Sequence, residues 1–280
     1  MANVRVGFIG AGKVGQSFAW YLKHQGVDIS GFYSRRMESS SAIASALNCK
    51  AFETIGALVE QSDMVGITVN DDQINVVVDS LINLGLDLKT KFFFHMSGVH
   101  NSESLKLLSE RVFTLHPLKA FPKIETSSAH FQNIYFSLEN ADAFILKWTT
   151  DIGLKTFEIQ SDKKVKYHAA AAILSNYMVS IIDFGLHQLD DVGLERRFAL
   201  EAMWPLIEDT LTNIKKLGPK QALTGPIARG DIETIKMHLS CLDAESRELY
   251  KSLGKYTLTL VDLDVSTNLA IQSLFEEEWK

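Results

Sequence analysis

Cysteine and proline are scarce in this chain, and no run of basic residues occurs. Only Cys49 and Cys241 are found in 280 residues. They lie far apart and make neither a disulfide framework nor a metal-ligand spacing, so no metal is expected and a reducing compartment suits them. With a formal net charge of −6 and no basic block, nucleic acid is a poor candidate partner. No internal repeat or low-complexity segment is visible. No apolar stretch is expected to reach membrane-spanning length. The first strand-like run starts almost at residue 1, leaving no room for a signal peptide, and a cytoplasmic protein is expected. What remains is 46% apolar and 22% charged, ordinary for a soluble globular protein, and long enough for two domains.

The densest signal is Gly10-Ala11-Gly12-Lys13-Val14-Gly15, directly after the apolar run Val4-Arg5-Val6-Gly7-Phe8-Ile9. A buried strand that breaks into G-x-G-x-x-G and becomes a helix is suited to hold a pyrophosphate. Gly10 permits the turn, Gly12 lets the backbone approach the phosphates, and Gly15 lets the helix pack close to the sheet. The helix N-terminus, with Lys13 and Val14, offers N–H groups to the anion. The second strand ends in Ser34-Arg35-Arg36. The acid that would accept hydrogen bonds from the ribose hydroxyls of NAD is missing there. A hydroxyl and guanidinium groups favour a 2′-phosphate, so the expected cofactor is NADPH.

Strand-like runs over residues 4–9, 29–33, 64–69, 91–95, 112–115, 134–138 and 156–159 alternate with helical stretches such as 40–47 and 102–109. That order predicts an α/β, doubly wound, mostly parallel sheet over residues 1–160. From residue 161 to 280 the periodicity is helical, with candidate helices at 165–189, 194–217, 232–242, 244–260 and near 266–277. An all-α C-terminal domain is expected there. Several of these helices are apolar on more than one face, as in Ala169-Ala170-Ala171-Ala172-Ile173-Leu174, and a homodimer formed through them is expected.

Polar residues at strand ends are the candidates for chemistry, because ligands of a doubly wound sheet gather at the carboxyl ends of its strands. Asn70, followed by Asp71 and Asp72, is placed to meet the nicotinamide-side ribose, while Asp72 suits a helix cap better than the cofactor. Ser97 and Gly98 are placed to line the nicotinamide and substrate region, and His95 is read as a strand residue with a structural hydrogen bond. His116, at the end of the next strand, is a candidate substrate contact. On the first helix after the boundary, His168, Ala172 and Asn176 share a face at i, i+4, i+8. Hydride transfer to a carbonyl needs a proton donor and a polarising group. His168 suits the first and Asn176 the second, or Asn176 holds the His168 tautomer. The break Leu223-Thr224-Gly225-Pro226-Ile227-Ala228-Arg229-Gly230-Asp231 offers Thr224, Gly225 and Arg229 to a substrate carboxylate, with Asp231 capping the next helix.

Together, residues 10–15 with Ser34-Arg35, His95-Met96-Ser97-Gly98, His116-Pro117-Leu118, Lys166-Tyr167-His168-Ala169-Ala170-Ala171 with Ser175-Asn176-Tyr177, and residues 223–231 resemble the Rossmann-like proteins with a C-terminal DUF2520 domain. That family is related in architecture to pyrroline-5-carboxylate reductase, ketopantoate reductase and the β-hydroxyacid dehydrogenases. The resemblance implies NADP-dependent reduction of a small acid, an active site between domains and a helical dimer interface. 2-Dehydropantoate is the first substrate it suggests, and a pyrroline-5-carboxylate-like imine the second. A non-catalytic NADPH-binding sensor is the rival from another class. The lysine that ketopantoate reductases and β-hydroxyacid dehydrogenases resemble one another in carrying on this helix has His168 in its place, and Lys166 two residues earlier. Either His168 or Lys166 is then the implied proton donor.

Overall fold

In the computed structural model of the protein, residues 4–279 are described. They divide into two compact units, one ending at Val179 and the other starting at Ser180.

The first unit is built on one eight-stranded sheet. Its strands are β1 (Arg5–Ile9), β2 (Asp28–Tyr33), β3 (Lys50–Ala51), β4 (Met64–Ile67), β5 (Phe92–His95), β6 (Val112–Pro117), β7 (Tyr135–Glu139) and β8 (Lys155–Glu158). Their order in the sheet is β3-β2-β1-β4-β5-β6-β7-β8. All neighbours are parallel except β6 and β7, so the mostly parallel, doubly wound sheet expected from the alternation is found. The order reverses between β1 and β4, which opens a crevice at their carboxyl ends. The two-residue β3 carried no periodicity to read. The helices of this unit are α1 (Lys13–His24), α2 (Met37–Leu47), α3 (Ile55–Glu60), α4 (Ile74–Ile82), α5 (Ala143–Asp151) and the first half of α6 (Lys164–Asp190). The helix expected at 102–109 is only a 3-10 stretch, Glu103–Leu107.

Phenylalanine fills the interior. Phe8 stacks on Phe32 at 5.1 Å between ring centroids and Phe94 on Phe113 at 5.2 Å, with Phe18 of α1 edge-on to Phe8 and Phe94. Such pairs add about 1 kcal/mol each beyond the area they bury. This rigid floor fixes where the strand ends, and the polar residues on them, are held.

The second unit contains the remainder of α6, then α7 (Arg196–Leu217), two single turns α8 (Pro219–Ala222) and α9 (Pro226–Arg229), α10 (Ile232–Cys241), α11 (Ala244–Leu258) and α12 (Val265–Glu276). Its buried core is Ile235, Leu239, Leu258, Ile271, Leu274 and Phe275. Aspartates cap three helices: Asp231 accepts from Thr234 N, Asp243 from Ser246 N and Asp264 from Thr267 N.

The expectation that no apolar stretch reaches membrane-spanning length does not hold for α6. The stretch Ser161–Asp190 is long and apolar enough to cross a membrane by length and composition, and only 6% of its most apolar window is buried. Residues 169–182 contain no Asp, Glu, Lys or Arg, and the alanines and the polar but uncharged Ser175 and Asn176 mask that run when the sequence is read for bulky apolar residues.

Candidate active site

The glycine loop is shaped by β4 as much as by its own sequence. Gly10 sits at φ +101°, and a Cβ there would stand 2.7 Å from the Thr68 carbonyl oxygen. A Cβ on Gly15 would collide with the Thr68 side chain, so α1 can pack this closely only with glycine. Gly12 differs. Its nearest neighbour is Thr68 O at 3.4 Å, so the space a side chain would fill is open for a ligand. Gly12 is also the N-cap of α1 and makes no side-chain cap, leaving the first N–H groups of the helix for an anion. Lys13 turns away to donate to Pro122 O at 2.6 Å, and so ties the loop after β6 to α1.

Two cavities flank this loop. One, of about 640 Å³, is lined by Gly10, Gly12, Ser34, Arg35, Arg36 and Asn70 among others. The other, of about 500 Å³, is lined by Gly12, Val14, Asn70, Met96, Ser97 and Phe121 among others. They share Gly12 and Asn70, and together follow the β1/β4 crevice in the way an extended dinucleotide requires. Ser34 donates to Arg36 O, and Arg35 Nη1 lies 3.4 Å from Gln73 Oε1, a long contact that leaves its guanidinium available. Asp72 does not cap α4 as expected; its carboxylate accepts from Gln73 Nε2 at 2.9 Å, and α4 starts without a side-chain cap.

Next to Ser97 at the second cavity, β5, β6, β7 and α6 bring together a buried polar layer. On β6 and β7 residues alternate apolar and polar, and the antiparallel register pairs Thr114 with Glu139 and His116 with Ser137. The start of α6 is fastened onto this layer by one face. Ser161 donates to Glu139, and Lys164 Nζ donates to Thr114 Oγ1 at 2.7 Å and to Ser97 O at 3.2 Å. Tyr167 Oη lies 2.8 Å from His116 Nδ1. Glu139 also accepts from Ser102 N and Ser102 Oγ. The His116 and His168 rings meet edge to face at 5.9 Å, and both close over Gly98. A Cβ on Gly98 would stand 2.8 Å from His116 Nε2 and would collide with the His168 ring, so glycine is required for the two histidines to converge.

Burial sets the electrostatics. Lys164 is fully buried, and desolvation pushes its ammonium down to about 8, with Glu139 and Asp71 opposing the fall. It is still mostly charged at neutral pH. His116 is pushed down to about 4, by burial first and then by the charges of Lys164 and His168. His95 is pushed to about 4 mainly by burial; it accepts from Ser97 N, and its Nε2 lies 3.0 Å from Asn101 O. The structural role expected of His95 is therefore found: it braces the turn that carries Ser97 and Gly98.

The other sequence candidates take no part in the hydrogen bonds of this layer. Lys166 is exposed on α6 and is absent from the polar layer. Asn176 is two turns beyond His168, about 12 Å along the axis, so it does not set the His168 tautomer. Thr224 is exposed in the second unit between α8 and α9, and Arg229 is exposed with its nearest acid, Asp231, at 3.9 Å. Gly225, at φ +94°, starts α9. Lys164, Tyr167, Thr114, Ser137 and Glu139 were missed from sequence. The signals were available: Lys164 shares the i, i+4 face with His168, and the alternations Phe113-Thr114-Leu115-His116 and Phe136-Ser137-Leu138-Glu139 put polar residues on one sheet face.

Parts of the chain match known families. Residues 4–88 match the NAD-binding Rossmann fold of an oxidoreductase family. Residues 136–257 match DUF2520, a domain of unknown function. The first unit is thus an NAD(P)-binding Rossmann domain. A comparison with curated proteins gives no match. Among solved structures, a protein from Thermotoga maritima is similar at 26% identity and TM-score 0.72, over 91% of this chain and 97% of that one. A putative NADP oxidoreductase from Bacteroides fragilis is similar at 21% identity and TM-score 0.69, over 92% and 98%. The NADP-bound pyrroline carboxylate reductase of Plasmodium falciparum shares the fold at 16% identity and TM-score 0.59, over 99% and 97%.

Proposed function

We propose that this protein is an NADPH-dependent reductase of a small 2-oxo acid, with 2-dehydropantoate the first substrate to test. The observation that carries the reading is the convergence of His116 and His168 over Gly98, beside the nicotinamide end of the crevice and above the buried Lys164. Bound NADPH supplies a hydride. Addition to a keto carbon turns its oxygen into an alkoxide, which needs hydrogen-bond donors and then a proton. His116, neutral at physiological pH, serves as a donor, and the half-exposed His168 supplies the proton and regains it from solvent. The Lys164 charge favours the developing anion. It disfavours the alternative substrate, a pyrroline-5-carboxylate-like imine, which must be a cation to accept hydride.

The test is NADPH oxidation, followed by loss of reduced-nicotinamide absorbance, with 2-dehydropantoate and pyrroline-5-carboxylate side by side. Turnover of the oxo acid, with kcat reduced ~10²-fold or more in His168→Ala, is expected. Preference for the imine overturns the carbonyl reading. Tight NADPH binding with no turnover of either transfers support to the sensor.

A further inference from the structure

His116 has two ring nitrogens with separate surroundings. Nδ1 lies 2.8 Å from the Tyr167 hydroxyl. Nε2 faces Gly98, where the two histidine rings converge. Behind Tyr167 sits Ser137 Oγ, fully buried and without a direct hydrogen-bond partner among the described residues. It is still near enough to the Tyr167 hydroxyl to hold its acidity up against the burial that weakens it.

We infer that Tyr167 is a positioning residue for the reductase proposed above: it donates its one hydroxyl proton to His116 Nδ1, so His116 presents Nε2–H, uncharged, to the carbonyl oxygen. A phenol is a stronger acid than a neutral imidazole N–H, and an imidazole nitrogen a stronger base than a phenol oxygen, so this direction makes the better hydrogen bond. No proton leaves the protein in this arrangement. His116 polarises the carbonyl, and His168 carries out the proton transfer. The charged and titratable groups facing His116 are Lys164 and His168 of α6 and, from the turn after β4, Asp71. Lys164 and His168 resist a second proton on the ring, and Asp71 favours one.

The full-length protein labelled with ¹⁵N at histidine, free and with NADPH, reports the tautomer directly, and His116→Gln assigns the signals. The expected wild-type result is a pyridine-like Nδ1 and a protonated Nε2 from mildly acidic to mildly alkaline pH. In Tyr167→Phe, His116 is expected to populate both tautomers and to protonate at higher pH. The acid limb of the kcat/KM profile then moves up, and kcat for the oxo acid falls ~10-fold or more with KM for NADPH unchanged. A wild-type His116 protonated on Nδ1 overturns the inference whether or not the variant folds. So does an unchanged tautomer in Tyr167→Phe. The tautomer is read without turnover. A protein that shows Nε2–H but reduces no oxo acid keeps the inferred orientation and loses only the proposed substrate.

Discussion

Ser34 and Arg35 stand at the end of β2, where an acid would repel a 2′-phosphate. Among the described residues Arg35 is held only by the long contact to Gln73, so little there competes with a phosphate for its guanidinium. A charge-assisted hydrogen bond contributes about 1.5–3 kcal/mol. Arg35→Ala should therefore raise KM for NADPH by ~10- to 100-fold and leave KM for NADH nearly unchanged. Steady-state kinetics with both cofactors checks this, and equal losses would return Arg35 to an ordinary surface charge. The place of this residue at the cavity was legible in the sequence because it follows from the end of a strand. Lys164 was not, since a lysine at the start of a helix is usually solvated. Only the packing of that helix on β6 and β7 shows this one buried against Thr114 and Ser97.

At the scale of elements, the turn from β5 to Gly98 depends on a neutral His95. Its folded pKa is depressed, to about 4, from an ordinary value of 6.5. Between those two values the unfolded chain binds more protons than the folded one. The stability tied to this group is complete above pH ~6.5 and is lost as pH falls toward ~4, by about 3 kcal/mol in all. Thermal melts across that interval should show Tm falling with acid, less steeply in His95→Gln, where an amide can still donate to Asn101 O. Parallel slopes in the two proteins would mean that His95 is not held neutral by its site. His116 contributes in the same direction, and its own substitution separates the two. The role of His95 was read correctly from an apolar strand end, whereas the pairing of β6 with β7 was hidden: two short alternating strands do not reveal that they run antiparallel.

For the whole molecule, α6 and α7 leave much apolar surface exposed. Leu174, Tyr177 and Val179 are 72, 60 and 69% exposed, and Phe198, Leu206 and Leu217 of α7 each exceed half. Large apolar side chains left this exposed on a helix mark an interaction site. We propose a second copy of the chain as its occupant, because a helix apolar on more than one face buries the excess in a subunit interface. Light scattering on the purified protein should give the mass of a dimer, and Leu174→Glu should shift it toward the monomer. A monomer that binds vesicles or detergent would instead assign α6 to a membrane.

The sequence by itself determined the nucleotide-binding half. A glycine loop between a strand and a helix is a local device, and its turn, its close approach and the residues that end β2 all lie within some thirty positions of one another. It also determined the change to helices after residue 160, since helical periodicity is local as well. The buried polar layer was decided by tertiary structure. Ser97, Thr114, His116, Ser137, Glu139, Lys164 and Tyr167 come from β6, β7, α6 and the turn after β5, far apart in the chain. Burial among one another gives these groups their charge states, and no single segment of sequence contains that burial.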